Sequence, residues 1–346
     1  MRVLTLGRLL LRCGILAVIL FAVMIAALKF GAVQVSLYGL GVDLIHVLLR
    51  QTSALSSDYG MIVIDIRLPR ILLAVVVGAS LSVAGTSFQA LLRNPLADPY
   101  VLGVSSGAAL GAILALIAEP HLSVPPSLAP LFTPLGAFLG AGATIAVVYF
   151  LGRREGQIDS GTLLLGGIIT ASFLSAIIMF LMTTLTGRDL HGVEFWLMGD
   201  LSTSLQQSLR WVLGVGFVLA SSAIYTTASD LNLLLSGEKE AMHLGVDVPR
   251  VRLVVYIAAS LLTGLAVSVS GAIGYVGLLV PHVMRLIFGS DHRVLIPTAA
   301  FGGAIAVVIA DTLARTVVAP SELPVGAMTA LAGAPLFLYL LRRRIA

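Results

Sequence analysis

Long stretches without a single Asp, Glu, Lys or Arg divide this chain, at 71–92, 99–118, 120–152, 160–187, 211–229, 253–284, 294–310 and 323–341. A helix rises 1.5 Å per residue, so about 20 apolar residues cross the roughly 30 Å hydrocarbon core of a bilayer. Most of these runs meet that length. A further stretch at 13–33 holds Lys29 as its only charge.

Composition agrees with the spacing. Hydrophobic residues make up 58% of the 346 positions and charged residues 11%, against about 25% charged in soluble domains. So few charges leave a soluble body of this size without a hydrated surface, and the apolar content excludes disorder. The net charge of +4 does not point to nucleic acid. Lys29 and Lys239 are the only lysines, and the arginines are scattered without interleaved aromatics. The chain reads as an all-α polytopic membrane protein, a single domain over 1–346, with the lipid bilayer as its solvent.

Charge sets the span count. The run 253–284 is too long for one span and is interrupted by SGAIGYVG at 270–277. Arg250 and Arg252 flank its start, and Arg285 and Arg293 its end. Two helices joined by a glycine turn near 271–274 keep all four on one side, as the positive-inside tendency favours. Ten spans result, with both termini in the cytoplasm. Fourteen of the 21 Lys and Arg residues then fall inside and seven, including Lys29, Arg50, Arg67, Arg70 and Arg315, outside. Arg2, Arg8 and Arg12 precede the first span, and no small-x-small site follows it, so it reads as a retained helix. The stretch 188–210 reads as a partly immersed helix or loop on the outer side.

The 35 glycines suit close helix packing in lipid, with Gly136/Gly140 and Gly302/Ala306 at the required spacing. GASLSVAG at 78–85 echoes GLAVSVSG at 264–271, as inverted-topology repeats would.

Enzyme motifs are missing. Neither lysine follows a glycine, so no phosphate-binding GK[ST] loop exists. The six histidines show no metal-ligand spacing, and the single Cys13 makes no disulfide. Asp311 is the one clear intramembrane acid, and Arg315 lies one turn later on the same face, an i,i+4 ion pair. A proton- or ion-coupled secondary transporter working through Asp311 is the alternative reading. The polar segment 230–252 contains a short helix from Gly237 to Leu244, stopped by Gly245 and followed by Pro249. It reads either as a solvated connection or as a docking peg for a soluble partner.

The blocks RLPR, QALLRNPLADPYVLGVSSGAALG, SGEKEAMHLGV, SGAIGYVGLLVPHVMRLIFGSDHRVLIP, ADTLAR and ELPVGAMTALAGAPLFLYLLRR closely resemble the iron-chelate and cobalamin permeases of type II ABC importers. The resemblance covers nearly all of the chain beyond the first span. It implies a ten-helix subunit of the bacterial inner membrane, working as a homodimer. Two ATP-binding subunits would dock below, holding the ATP and Mg, and a periplasmic or lipid-anchored binding protein above. The cargo would be a ferric siderophore, haem or cobalamin. On this resemblance Arg67, Arg70 and Arg315 meet the binding protein, where charge pairing steers and orients docking. Asn94 and Leu96 form one inner constriction. Asp159, Ser160 and Gly161 form the other, departing there from the Ser/Thr-rich version of the cobalamin importers. Gly237, Glu238, Glu240, Ala241, Leu244 and Gly245 belong to the coupling helix that seats in the ATPase.

Overall fold

The apolar runs become helices, because a helix satisfies its own backbone hydrogen bonds where water is absent. The computed structural model describes residues 5–31, 62–122, 124–154, 157–185, 188–202 and 207–345. Arg50, assigned above to an outer segment, lies outside the described residues. In chain order the helices are α1 (Leu6–Lys29), α2 (Leu68–Leu91), α3 (Val104–Ala118), α4 (Ala129–Gly152), α5 (Ser160–Met182), α6 (Arg188–Leu197) and α7 (Gln207–Thr226). There follow α8 (Ala228–Leu234), α9 (Glu238–His243), α10 (Val248–Ser270), α11 (Val276–Phe288), α12 (His292–Thr316) and α13 (Val325–Ile345). A π-helical turn, Ile62–Arg67, runs into α2. A two-residue antiparallel pair, Arg153–Arg154 with Gln157–Ile158, closes the α4–α5 connection.

Among the described residues, eight helices are long and apolar enough to cross a membrane, and Val276–Phe288 and Val325–Tyr339 are shorter apolar helices. Ten spans were expected; eight of these ten apolar helices have spanning length. The stretch 188–210 resolves in part into the ten-residue α6.

The 253–284 run does split, but unevenly. Helix α10 has 23 residues and α11 only 13, about 20 Å at 1.5 Å per residue and too short to cross alone. Between them a non-helical stretch at 271–275, with Gly271 (φ 61°) and Tyr275 (φ 67°) at its ends, is folded into the protein. Ile273 is buried; its N–H donates to the Tyr100 hydroxyl at 2.9 Å, and its carbonyl accepts from that hydroxyl at 3.0 Å. Irregular backbone inside a membrane protein needs such internal partners.

Helices α2 and α10 are the most buried and form the centre, whereas α1 is largely exposed and lies at the edge. Small residues let neighbouring helices approach closely. At the α3–α4 crossing, a Cβ on Gly111 would sit 2.1 Å from the Gly136 carbonyl oxygen, and one on Gly140 2.2 Å from that of Gly107. Gly78 of α2 meets Gly303 of α12 as closely. The expected Gly136/Gly140 spacing therefore does serve helix contact, with Gly107 and Gly111 as its unforeseen partners.

Candidate functional site

Two polar clusters mark opposite ends of α2, whose 24 residues span about 36 Å. At its start, Arg67 is buried and donates from Nη1 to the Leu28 carbonyl at 2.7 Å and the Lys29 carbonyl at 3.4 Å. These are among the last carbonyls of α1, which lack donors within their own helix. Arg70 donates from Nε to Asp311 Oδ1 at 2.8 Å and from Nη1 to Glu322 Oε2 at 2.7 Å. Arg315 closes the group, its Nε 3.0 Å from Asp311 Oδ2.

The expected i,i+4 pair of Asp311 and Arg315 is present, but Arg70 completes it from another helix. Arg67, Arg70 and Arg315 are 4%, 8% and 5% exposed, and the last two face this chain's own carboxylates. Glu322, 43% exposed, is the member at the surface. Asp311, 1% exposed, is a bound counter-ion between two guanidiniums, which leaves it poorly suited to carrying protons.

At the far end, α2 stops in a Schellman turn. The N–H of Arg93 donates to the Ala90 carbonyl at 3.2 Å and that of Asn94 to the Gln89 carbonyl at 3.1 Å, the 5→2 and 6→1 bonds of this cap. The Asn94 side chain then accepts from the Leu96 N–H at 2.9 Å, turning the chain and leaving Leu96 44% exposed. Asp98 accepts from the Tyr100 N–H at 2.9 Å and starts a 3-10 turn at Pro99. Burial pushes the Asp98 carboxyl up to about 6 despite that bond.

The second expected constriction adjoins the first. Ser160, in the first turn of α5, donates from Oγ to the Leu91 carbonyl at 3.2 Å. Asp159 caps α5, accepting from the Thr162 N–H at 2.8 Å and its hydroxyl at 2.6 Å, and Gly161 lies between them. Residues 91 and 160, separated by more than sixty positions, thus meet through this bond.

The short helix expected in 230–252 is α9. Gly237 (φ 133°) and Gly245 (φ 86°) bound it in backbone conformations that favour glycine. Ala241 is fully buried and anchors it, while Lys239, Glu240, Met242, His243, Leu244 and Gly245 are exposed. Glu238 turns inward instead: its carboxylate pairs with Arg252 of α10 and, at 3.2 Å, with Arg93. Nearby, Asn232 of α8 donates to Asp291 Oδ1 at 2.8 Å and accepts from the His292 N–H at 2.8 Å, fixing the start of α12. Bonds from Arg293 and Asn232 hold the Asp291 carboxyl down to about 2. The sequence alone assigned no role to Arg93, Glu322 and Asn232; only Arg93, directly before Asn94 and Pro95, gave any local signal. Among the described residues, no three His, Cys, Asp or Glu side chains are placed to hold a metal ion.

Residues 16–343 match the FecCD transport family. The chain belongs to the FecCD transport family. A Bacillus subtilis ABC transporter permease, YvrB, is 45% identical over 287 residues, covering 83% of this chain and 80% of that protein. The cobalamin import permease BtuC of Halobacterium salinarum is 44% identical, over 82% of this chain and 74% of its own length. The hemin transport permease HmuU of Yersinia pestis is 44% identical, over 81% and 83%. A metal-chelate type ABC transporter solved in an inward-facing conformation superposes with a TM-score of 0.78 at 31% identity, covering 96% of this chain and 98% of its own. As a FecCD permease the chain is a membrane transport subunit and not an enzyme; the ATPase is a separate subunit. The secondary-transporter alternative falls with this assignment.

Proposed function

We propose that this FecCD permease imports a metal chelate (a ferric siderophore, haem or cobalamin) across a bacterial inner membrane. It works as a homodimer with two ATP-binding subunits, which carry the ATP and Mg, and a periplasmic or lipid-anchored binding protein. Both termini lie in the cytoplasm, and 1–346 form one permease domain. The observation that carries this reading is α9: a glycine-bounded helix anchored by Ala241, with Lys239, Glu240, Met242, His243 and Leu244 exposed, beside the turn that holds Asn94 and Leu96.

In this reading the exposed face of α9 seats in the ATPase, and Gly237 and Gly245 let the peg stand out from the bundle. The surface formed by Asn94, Leu96, Asp159, Ser160 and Gly161 closes the cytoplasmic end of the path. A bulky chelate needs a weakly polar passage more than a tight charged site, and the low charge of the spans suits that. ATP binding moves α9, and hydrolysis resets it. At the outer end Arg67, Arg70 and Arg315 receive acidic residues of the binding protein, an exchange in which partner carboxylates replace those of Asp311 and Glu322.

Proteoliposomes holding the chain with its ATPase test this. Uptake of labelled ferric siderophore, haem or cobalamin should require both ATP and the binding protein; uptake that persists without ATP overturns it.

A further inference from the structure

Arg93 sits at a position the backbone would give to glycine. It is the C′ residue of the Schellman turn, with φ 49°, where a side chain crowds the backbone and glycine is the usual occupant. A bulky residue persists in such a conformation when its surroundings require it, and these sites mark function more often than chance. The neighbour of Arg93 is Glu238, its Oε1 3.2 Å from Nη2. The same oxygen binds Arg252, whose side chain is 8% exposed and rooted in α10. One carboxylate on α9 therefore joins two elements. Arg252 makes the fixed end, and Arg93, 38% exposed, the end facing solvent. Asn94 directly follows Arg93, and Leu96 lies three residues on.

We propose that Arg93 is the positioning residue that ties movement of α9 to the Asn94–Leu96 turn. The inference rests on the reading of α9 as the ATPase-docking element and names the residue through which that element acts. An exposed ion pair of this kind is weak. It releases and re-forms without a large penalty, as a contact remade in every transport cycle must. Its geometric consequence is larger than its energy, because the turn has no other charged tie to α9 among the described pairs.

The test is Arg93→Gly in the full complex of chain, ATPase and binding protein. Glycine suits φ 49°, so the variant should be at least as thermally stable as the parent and should still purify with its ATPase. Uptake per ATP hydrolysed should nevertheless fall about tenfold. Arg93→Lys, which keeps the charge, should recover most of that loss. Undiminished uptake per ATP in Arg93→Gly overturns the inference, as does a loss that Arg93→Lys shares in full. Met242→Glu, on the exposed face of α9, is the parallel control and should release the ATPase. A Met242→Glu chain that retains its ATPase overturns the reading of α9 and the inference with it. Release by Met242→Glu with normal uptake by Arg93→Gly overturns the inference alone.

Discussion

Arg70, near the start of α2, and Asp311, near the end of α12, meet side chain to side chain at 2.8 Å across 241 positions of sequence. The contact pins the ends of two helices, α2 and α12, that already touch through Gly78 and Gly303. It also gives the 1% exposed carboxylate a second guanidinium partner beside Arg315.

Replacing Asp311 by Asn should therefore be a stability lesion. Arg70 and Arg315 would be left as buried cations facing each other, at a cost of about 3–5 kcal/mol. Thermal unfolding in detergent should show a much lower midpoint. Protein that remains folded should still take up chelate only with ATP, and uptake that switches to a proton gradient would contradict the assignment.

Glu322 offers a gentler change. At 43% exposed its bond to Arg70 contributes no more than about 1 kcal/mol. Glu322→Gln should leave the unfolding midpoint nearly unchanged while freeing one edge of the Arg70 guanidinium. If the binding protein uses that edge, its affinity should rise, measurable by surface plasmon resonance on immobilised complex. A weaker interaction would show that Glu322 itself is part of the docking surface.

Asp98 gives a pH signature. Its carboxyl is held at about 6 in the fold against 3.8 ordinarily, so the folded protein binds this proton more tightly than the unfolded chain does. The stability from the neutral form is complete below about pH 4 and is lost as pH rises through about 6. Asp98→Asn keeps an acceptor for the Tyr100 N–H and removes the slope, raising stability at pH 7 by about 1–2 kcal/mol for a half-buried group. Unfolding midpoints at pH 4.5 and pH 7 should converge in the variant.

The α3–α4 crossing has no room for side chains. Gly111→Leu drives carbons into the Gly136 backbone and should separate the helices, costing more than the roughly 1–3 kcal/mol of ordinary overpacking. Expression and the unfolding midpoint should both drop. Leucine at Gly142, where nothing lies within 4 Å of an added Cβ, should have no such effect.

The apolar helices and the small helix before Pro249 were legible in the sequence because each depends on local physics. Length without charge makes a spanning helix, and glycines with a proline bound a short one. The α11 half-length helix was not legible, since its hydropathy matches that of a full span. Tyr100, distant in sequence, decides it by satisfying the Ile273 backbone and permitting a non-helical stretch. Arginines 67, 70 and 315 could be picked out from their motifs, but their direction could not. Which carboxylate an arginine faces depends on where α1, α12 and the Glu322 loop come to rest.

The sequence by itself determined that this chain is a helical membrane protein with its few charges gathered at the ends of apolar runs, because apolar length and charge are additive properties of neighbouring residues. Only the tertiary structure decided how those charges pair: Arg70 with Asp311 and Glu322 at one end, Arg93 and Arg252 with Glu238 at the other. An ion pair falls off within a few ångströms, and no local pattern brings residues 93 and 238 that close. Helix packing does.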